Sequence, residues 1–289
     1  MSAMVEFESI RIRYSDHYEA YGRLWLPPSP RGSVLYLHGI QSHGGWFEAS
    51  ARAMVEAGYA VLLPDRRGSG RNEVDRGHAP SAKRLLRDTV ECLNELHVRT
   101  GLERSHVVGV SWGGKVALSM QRYQPSRLAS VTLVAPGLFP QVDLPTSQKA
   151  KVVWSCVTRG RTLFDIPLRD PELFTANPDR QRYIREDKLS LHKTTSGFLM
   201  ASRKLDRYAL SVARVSDGVP IKLFLAGEDR IINNDRTRAF VEGLSWPRVE
   251  VTAYPGAHHT LEFETDPTGY FKDAVTWLNS IETHTGPET

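Results

Sequence analysis

The sequence predicts an α/β fold: a mostly parallel central sheet flanked by helices and interrupted by an inserted helical segment. Three observations predict it. Short, continuously apolar runs recur along the chain, as strands covered on both faces require. Stretches with apolar residues three and four apart lie between them and read as helices. The alternation stops between about Gly137 and Val219, an interval too long for a plain loop in a compact domain.

The elements follow in order. Val5 to Tyr14 alternates apolar and polar residues and reads as a half-buried strand. Tyr21 to Leu26, ended by Pro27 and Pro28, reads as its hairpin partner at a sheet edge. Covered strands are expected at Ser33 to Leu37, Ala60 to Leu63, His106 to Val110, Val131 to Val134 and Ile221 to Leu225, with a weaker one at Val249 to Ala253. Helices are expected at Phe47 to Ala57, Leu85 to His97, Gly113 to Tyr123 and about Pro267 to Ile281, and the tail from Glu282 reads as frayed. Strand alternating with helix implies right-handed crossovers, so the loops after the strands are where a site forms. Residues 1–136 and 220–289 form the expected core. Residues 137–219 form the expected insert, with no clear strand in it. The insert carries fourteen Lys/Arg against nine Asp/Glu, more than the whole formal excess of +4.

Composition narrows the class. Apolar residues at 40% and charged residues at 24% exclude a disordered or fibrous chain. A net charge of +4 on 289 residues is too mild to imply nucleic acid, and no basic run with interleaved aromatics occurs. Cys92 and Cys156 are far apart and read as reduced thiols, not a disulfide or metal site. Met1 to Ile10 carries Glu6 and Glu8 and lacks the apolar stretch of a signal peptide. No apolar run reaches transmembrane length. The expectation is a soluble cytoplasmic protein needing no metal or organic cofactor.

Four motifs carry chemistry. Gly109-Val110-Ser111-Trp112-Gly113 fits Gly-x-Ser-x-Gly, with an apolar strand running in and a helix running out. That setting holds a serine on a strained turn at a helix N-terminus, where an oxyanion would be stabilised. Ser111 is the predicted nucleophile. His38-Gly39 closes the strand Ser33 to Leu37. An oxyanion hole needs two backbone N–H groups; Trp112 and Ile40 are the expected donors. Gly39, lacking a side chain, lets its loop approach the substrate. His38 reads as structural and His43 as exposed. Gly227-Glu228-Asp229 follows a core strand, where an acid could orient a histidine. Glu228 and Asp235 compete, and the motif favours Asp229. The alternative role for Asp229 is the N-cap of a helix over Ile232 to Phe240, which Asn233 or Asn234 could fill instead. Gly256-Ala257-His258-His259 offers two adjacent histidines as base, and spacing alone does not choose between them.

Beyond these motifs, the chain resembles the α/β-hydrolase superfamily, and more narrowly its monoacylglycerol-lipase and lysophospholipase-like (serine aminopeptidase-type) branch. The resemblance rests on LHGIQSHGGWF (37–47), LLPDRRGSG (62–70), VVGVSWGG (107–114), FLAGEDRII (224–232) and YPGAHHTLEFE (254–264). It implies the chain order Ser111, Asp229, His259 for the triad, with the base following Gly-Ala-x and hence at His259. It also implies that the Asp65 to Gly70 loop shapes the rim of the site.

The implied activity is acyl transfer to water: cleavage of a carboxylic ester of a hydrophobic, lipid-like small molecule. Val152, Val153, Trp154, Leu163, Phe164, Leu173, Phe174, Phe198, Leu199 and Met200 of the insert either line an acyl pocket or pack the insert onto the core; Trp154 and Phe164 are expected substrate contacts. The basic insert leaves open a thioesterase or acyltransferase acting on an acidic carrier protein or a CoA thioester. A silent binding protein on the same fold is the remaining class, and the complete Ser111, Asp229, His259 set argues against it.

Overall fold

The computed structural model describes residues 6–158 and 160–283. Val5, where the first strand was expected to begin, and the tail after residue 283 lie outside the described residues. Eight strands form one sheet: β1 (Glu8–Arg13), β2 (Glu19–Trp25), β3 (Gly32–Leu37), β4 (Tyr59–Pro64), β5 (Ser105–Val110), β6 (Leu128–Val134), β9 (Ile221–Ala226) and β10 (Val249–Tyr254). Their order is β1-β2-β4-β3-β5-β6-β9-β10. The β1–β2 and β2–β4 pairs are antiparallel, and all others are parallel. The expected edge hairpin therefore joins a parallel sheet on its outer side.

Every residue of β4, β5 and β9 is buried, which is why these strands read as unbroken apolar runs. Alternate side chains enter two separate cores, following the two-residue period of a strand. Leu35, Leu62, Val107 and Leu223 join one. Tyr36, Val61, Val108 and Phe224 join the other. Helices α2 (Ala82–Thr100) and α3 (Trp112–Tyr123) cover the first face, through Leu93 and Leu118 among others. Helices α1 (Glu48–Glu56) and α8 (Thr268–Glu282) cover the second, through Met54 and Trp277. Helix α2 extends beyond its expected bounds at both ends. Ser81 caps its N-terminus by accepting the Arg84 N–H, and Gly101 ends it at φ 73°, a conformation glycine adopts without penalty.

The segment between β6 and β9 holds α4 (Thr146–Thr158), α5 (Pro178–Glu186) and α6 (Ser196–Leu210). It also holds what the sequence did not reveal: β7 (Leu163–Asp165) paired antiparallel with β8 (Lys193–Thr195) in a separate two-stranded sheet. Three residues per strand are too few for a periodicity to register. This insert contributes to both cores, with Phe198 and Leu205 on one side and Ile166, Leu168 and Phe174 on the other. It thus straddles the carboxyl end of the sheet, where Pro140 bridges Ile232 in the loop between β9 and α7 (Asn234–Glu242). No described helix is long and apolar enough to cross a membrane.

Candidate active site

Ser111 joins β5 to α3 with φ 51° and ψ −120°. A non-glycine residue held there costs about 1–3 kcal/mol, so the surroundings must enforce it. They do so by closeness. A Cβ on Gly113 would lie 2.3 Å from the Leu37 carbonyl oxygen, and one on Gly109 would lie 2.6 Å from the Gly113 carbonyl oxygen. Hydrogen bonds then pin the turn. The Ser111 N–H donates to the Val134 carbonyl at 2.9 Å, and its own carbonyl accepts from Gly114 at 2.9 Å and Gly137 at 2.7 Å. Trp112 begins α3, so the N-terminal dipole of that helix points at the Ser111 hydroxyl.

The loop after β3 lies against this turn. A Cβ on Gly39 would touch the Ser111 Cβ at 3.4 Å, an ordinary contact distance, and would crowd the Ser42 hydroxyl at 3.2 Å. His38 Nε2 accepts the Arg66 backbone N–H at 2.8 Å. The ring proton is therefore on Nδ1, which donates to the Gly39 carbonyl at 2.8 Å. Burial, reinforced by the Arg66 guanidinium, holds the His38 pKa well below the usual imidazole value, so the ring is neutral and structural, as expected. Among the described residues, the N–H groups of Ile40 and Trp112 bond no acceptor within the protein.

On the other side, His259 is 2% exposed, and its Nδ1–H donates to Asp229 Oδ2 at 2.8 Å. Asp229 Oδ1 accepts the N–H groups of Ile231 at 2.8 Å and Ile232 at 3.0 Å. That leaves His259 Nε2 buried and without a hydrogen-bond partner. The competitors are engaged elsewhere. His258 bonds Glu264 through its backbone N–H at 2.7 Å; Glu228 is exposed; Asp235 sits in the first turn of α7, which Asn233 caps. Ser111, His259, Gly39 and Ile40 border one small void between them. No hydrogen bond joins Ser111 to His259, a common slackness before substrate binds.

Ser111, Ile40 and Trp112 also line a cavity of about 360 Å³ that opens toward the insert. Its far wall comes from Val152, Val153, Ile166, Leu168, Leu199 and Met200. Four of these are among the expected apolar set; Ile166 and Leu168, and Ile231 and Ile232 from the core, are not. Two expected substrate contacts lie outside this cavity. Trp154 is 74% exposed and faces away from the cavity, because the turn of α4 that buries Val152 carries Trp154 outward. Phe164 sits in the middle of β7, half-buried, and does not line the cavity. His43, expected to be exposed, is buried. Its Nδ1 accepts the Gly45 N–H at 3.0 Å, so its Nε2–H donates to Asp187 Oδ2 at 3.0 Å. The partner is 144 residues away, which no local pattern reports. Burial alone would raise the Asp187 pKa, but hydrogen bonds from His43 and Trp46 outweigh it and hold the carboxyl well below its usual value.

The carboxylates in the cavity wall are matched to lysines. Asp206 is bonded by Lys115, and Asp143 by Lys149 at 2.6 Å. Within the Asp65 to Gly70 loop, expected at the rim of the site, one residue has contacts that the sequence did not single out. Arg66 sends its Nη2–H to the Ile40 carbonyl at 3.0 Å and lies over the rings of Trp112 and Phe198, at 4.8 and 4.9 Å from their centroids. Burial draws its guanidinium pKa down to about 9, which leaves it charged at neutral pH.

Comparison with known proteins gives the same frame. The hydrolase family described as "Serine aminopeptidase, S33" matches residues 28–266. The monoacylglycerol lipase of Mycolicibacterium smegmatis is 23% identical over 268 residues, spanning 89% of this chain and 91% of that protein. The monoglyceride lipase of Homo sapiens is 22% identical over 256 residues, spanning 86% and 82%. The crystal structure of Paleococcus ferrophilus monoacylglycerol lipase superposes with a TM-score of 0.81 at 22% identity, covering 91% of this chain and 99% of that one.

Proposed function

The chain belongs to the serine aminopeptidase, S33, family of hydrolases, and on that premise we propose that it hydrolyses carboxylic esters of lipid-like molecules through an acyl-enzyme on Ser111. One observation carries the reading: the strained Ser111 opens on one side to an apolar cavity and on the other to a void shared with His259, whose ring is oriented by Asp229.

The steps follow from the geometry. His259 Nε2, unengaged by the protein, takes the Ser111 proton as Oγ attacks the ester carbonyl. Asp229 stays ionised and steadies the imidazolium. The N–H groups of Ile40 and Trp112 receive the oxyanion. His259 then gives its proton to the departing alcohol, and a water molecule deprotonated by His259 releases the acid.

Residues 137–219 act as a lid over a core made of residues 1–136 and 220–289. About 360 Å³ is at the small end of ligand pockets, roughly 300–1,000 Å³, and suits an acyl chain of medium length. An ester is favoured over the peptide named in the family's description. An aminopeptidase needs a free carboxylate to receive the substrate's amino group, and Asp143 and Asp206 are already held by Lys149 and Lys115. The charge of the insert is also partly matched, as in Arg161–Asp75 and Arg169–Asp165. A simple ester is thus favoured over an acidic carrier or CoA thioester. Free thiols at Cys92 and Cys156 suit a cytoplasmic location.

The test is p-nitrophenol release from short to long acyl esters by wild type and Ser111→Ala. Wild type should turn over, and Ser111→Ala should lose at least about a thousandfold. Equal rates for both would remove Ser111 from the reaction.

A further inference from the structure

Three arginines are drawn into the region beneath the loop after β3, and their charges are treated differently. Arg23 is ion-paired with Asp65 at 3.1 Å and Glu48 at 2.9 Å. Arg67 is paired with Asp88 at 2.8 Å and Asp16 at 2.9 Å. Arg66 has no carboxylate partner among the described residues. Its Nε and Nη1 atoms are buried and without a hydrogen-bond partner. The carboxylate that acts on it is Asp65, which is committed to Arg23, the Gly44 N–H and the Arg71 N–H. Taking a guanidinium out of water without a counter-ion is costly. The faces of Trp112 and Phe198 offset part of that cost.

What the charge lies against is specific. Its Nη2–H holds the Ile40 carbonyl. Its backbone N–H fixes His38, and His38 in turn donates to the Gly39 carbonyl. Gly39 C=O and Ile40 N–H belong to one peptide group, so a hydrogen bond donated to the oxygen strengthens the N–H as a donor. The aromatic ring beneath the guanidinium belongs to Trp112, whose own N–H is the other donor assigned to the oxyanion. One residue therefore braces both donors, and its charge has no counter-ion among the described residues.

We propose that Arg66 is the positioning residue of the oxyanion site: its unpaired guanidinium locks the Ile40 loop against Trp112 and places positive charge behind the two N–H donors that receive the anion. This rests on the acyl-enzyme reading of Ser111. The charge is worth more in the tetrahedral intermediate than in the bound ester, because the intermediate carries the full negative charge in a site of low dielectric. Arg66 thus acts on kcat and leaves ester binding nearly unchanged.

The test compares wild type with Arg66→Met, which keeps the apolar stem against Trp112 and Phe198, and Arg66→Lys, which keeps the charge and loses the fork. Three readouts apply: kcat and KM on p-nitrophenyl esters, inhibition by an alkylboronic acid that forms a tetrahedral anion on serine, and the rate of labelling by a fluorophosphonate. Arg66→Met should lower kcat by roughly 30- to 100-fold with KM within about threefold, and weaken the boronic acid in proportion. Arg66→Lys should retain at least about a tenth of the wild-type kcat. A folded Arg66→Met with wild-type kcat and boronic-acid affinity, or one that loses only KM, overturns the proposal. Should Arg66→Met fail to melt cooperatively, Arg66→Lys decides: an enzyme as inert as Ser111→Ala overturns it, and a substantially active one supports it. Fluorophosphonate separates the two levels. Wild type left unlabelled at Ser111 ends the hydrolase reading and this inference with it. Wild type and Arg66→Met labelled at equal rates end the inference alone.

Discussion

Across the cavity from Ser111, the wall supplied by the insert is built differently from the wall supplied by the sheet. The sheet side has no slack. Backbone atoms crowd the Cα positions of Gly109 and Gly113, the Ser111 carbonyl is bonded twice, and Asp229 accepts two N–H groups besides the His259 ring. The insert side is aliphatic, with Leu199 and Met200 only half-buried and Val153 open to solvent. Its ion pairs lie mostly at the surface, as Lys149–Asp143 and Arg169–Asp165 do, and such pairs contribute little stability. The difference teaches a division of labour. On the proposed reaction, the rigid wall would fix the reacting atoms and set the rate, and the adaptable wall would set which acyl groups fit. The predictions below probe that division, from the largest expected effect to the smallest.

Asp229→Asn tests the rigid wall directly. Asparagine can still accept the Ile231 and Ile232 N–H groups, but its amide favours the wrong tautomer of His259. Ester kcat should fall by about 10³–10⁴ with little change in KM. A loss below tenfold would mean that another acid orients the base.

Leu199→Trp tests the adaptable wall. Filling the cavity should reduce kcat/KM for long acyl esters by roughly tenfold or more and leave acetyl esters within about twofold. Equal losses across chain lengths would show that the insert wall also sets the rate, and would break the comparison.

Glu262, three residues beyond His259, is buried at an electrostatic cost. Burial pushes its carboxyl pKa up to about 7, against hydrogen bonds from Ser50 and the Ala49 N–H that pull it down. The folded protein thus keeps a proton that the unfolded chain releases near pH 4–5. The resulting stability is present at low pH and is lost as pH rises through about 7. Glu262→Gln should flatten the urea-unfolding free energy between about pH 5 and 8. An unaltered slope would show that some other group titrates there.

Trp154→Ala is the smallest. With the indole 74% exposed, activity should stay within about twofold and stability within about 0.5 kcal/mol. A larger loss of activity toward long esters would bring Trp154 back as a substrate contact.

How far the sequence reached depends on the range of the interactions. All eight strands of the main sheet were legible, because strands buried on both faces or alternating at an edge leave a pattern within a few residues. The elbow was legible for the same reason: its glycines, serine, strand and helix are contiguous. Local order failed where two distant segments decide together. The β7–β8 pair joins three-residue strands 30 positions apart. His43 is buried by Asp187 of the insert. Trp154 and Phe164 were judged by composition, and helix phase and strand face then turned them away from the cavity.

The sequence by itself determined the α/β class, the order of the elements and the candidate chemistry, because each is written in neighbouring residues with a fixed period or motif. The tertiary structure decided which of two adjacent histidines meets Asp229, which aliphatic side chains face the cavity, and which of two adjacent arginines has its charge cancelled. Those outcomes depend on what lies within a few ångströms across the fold. A side chain's burial, partner and electrostatic worth are properties of that neighbourhood, and the linear order of residues does not carry them.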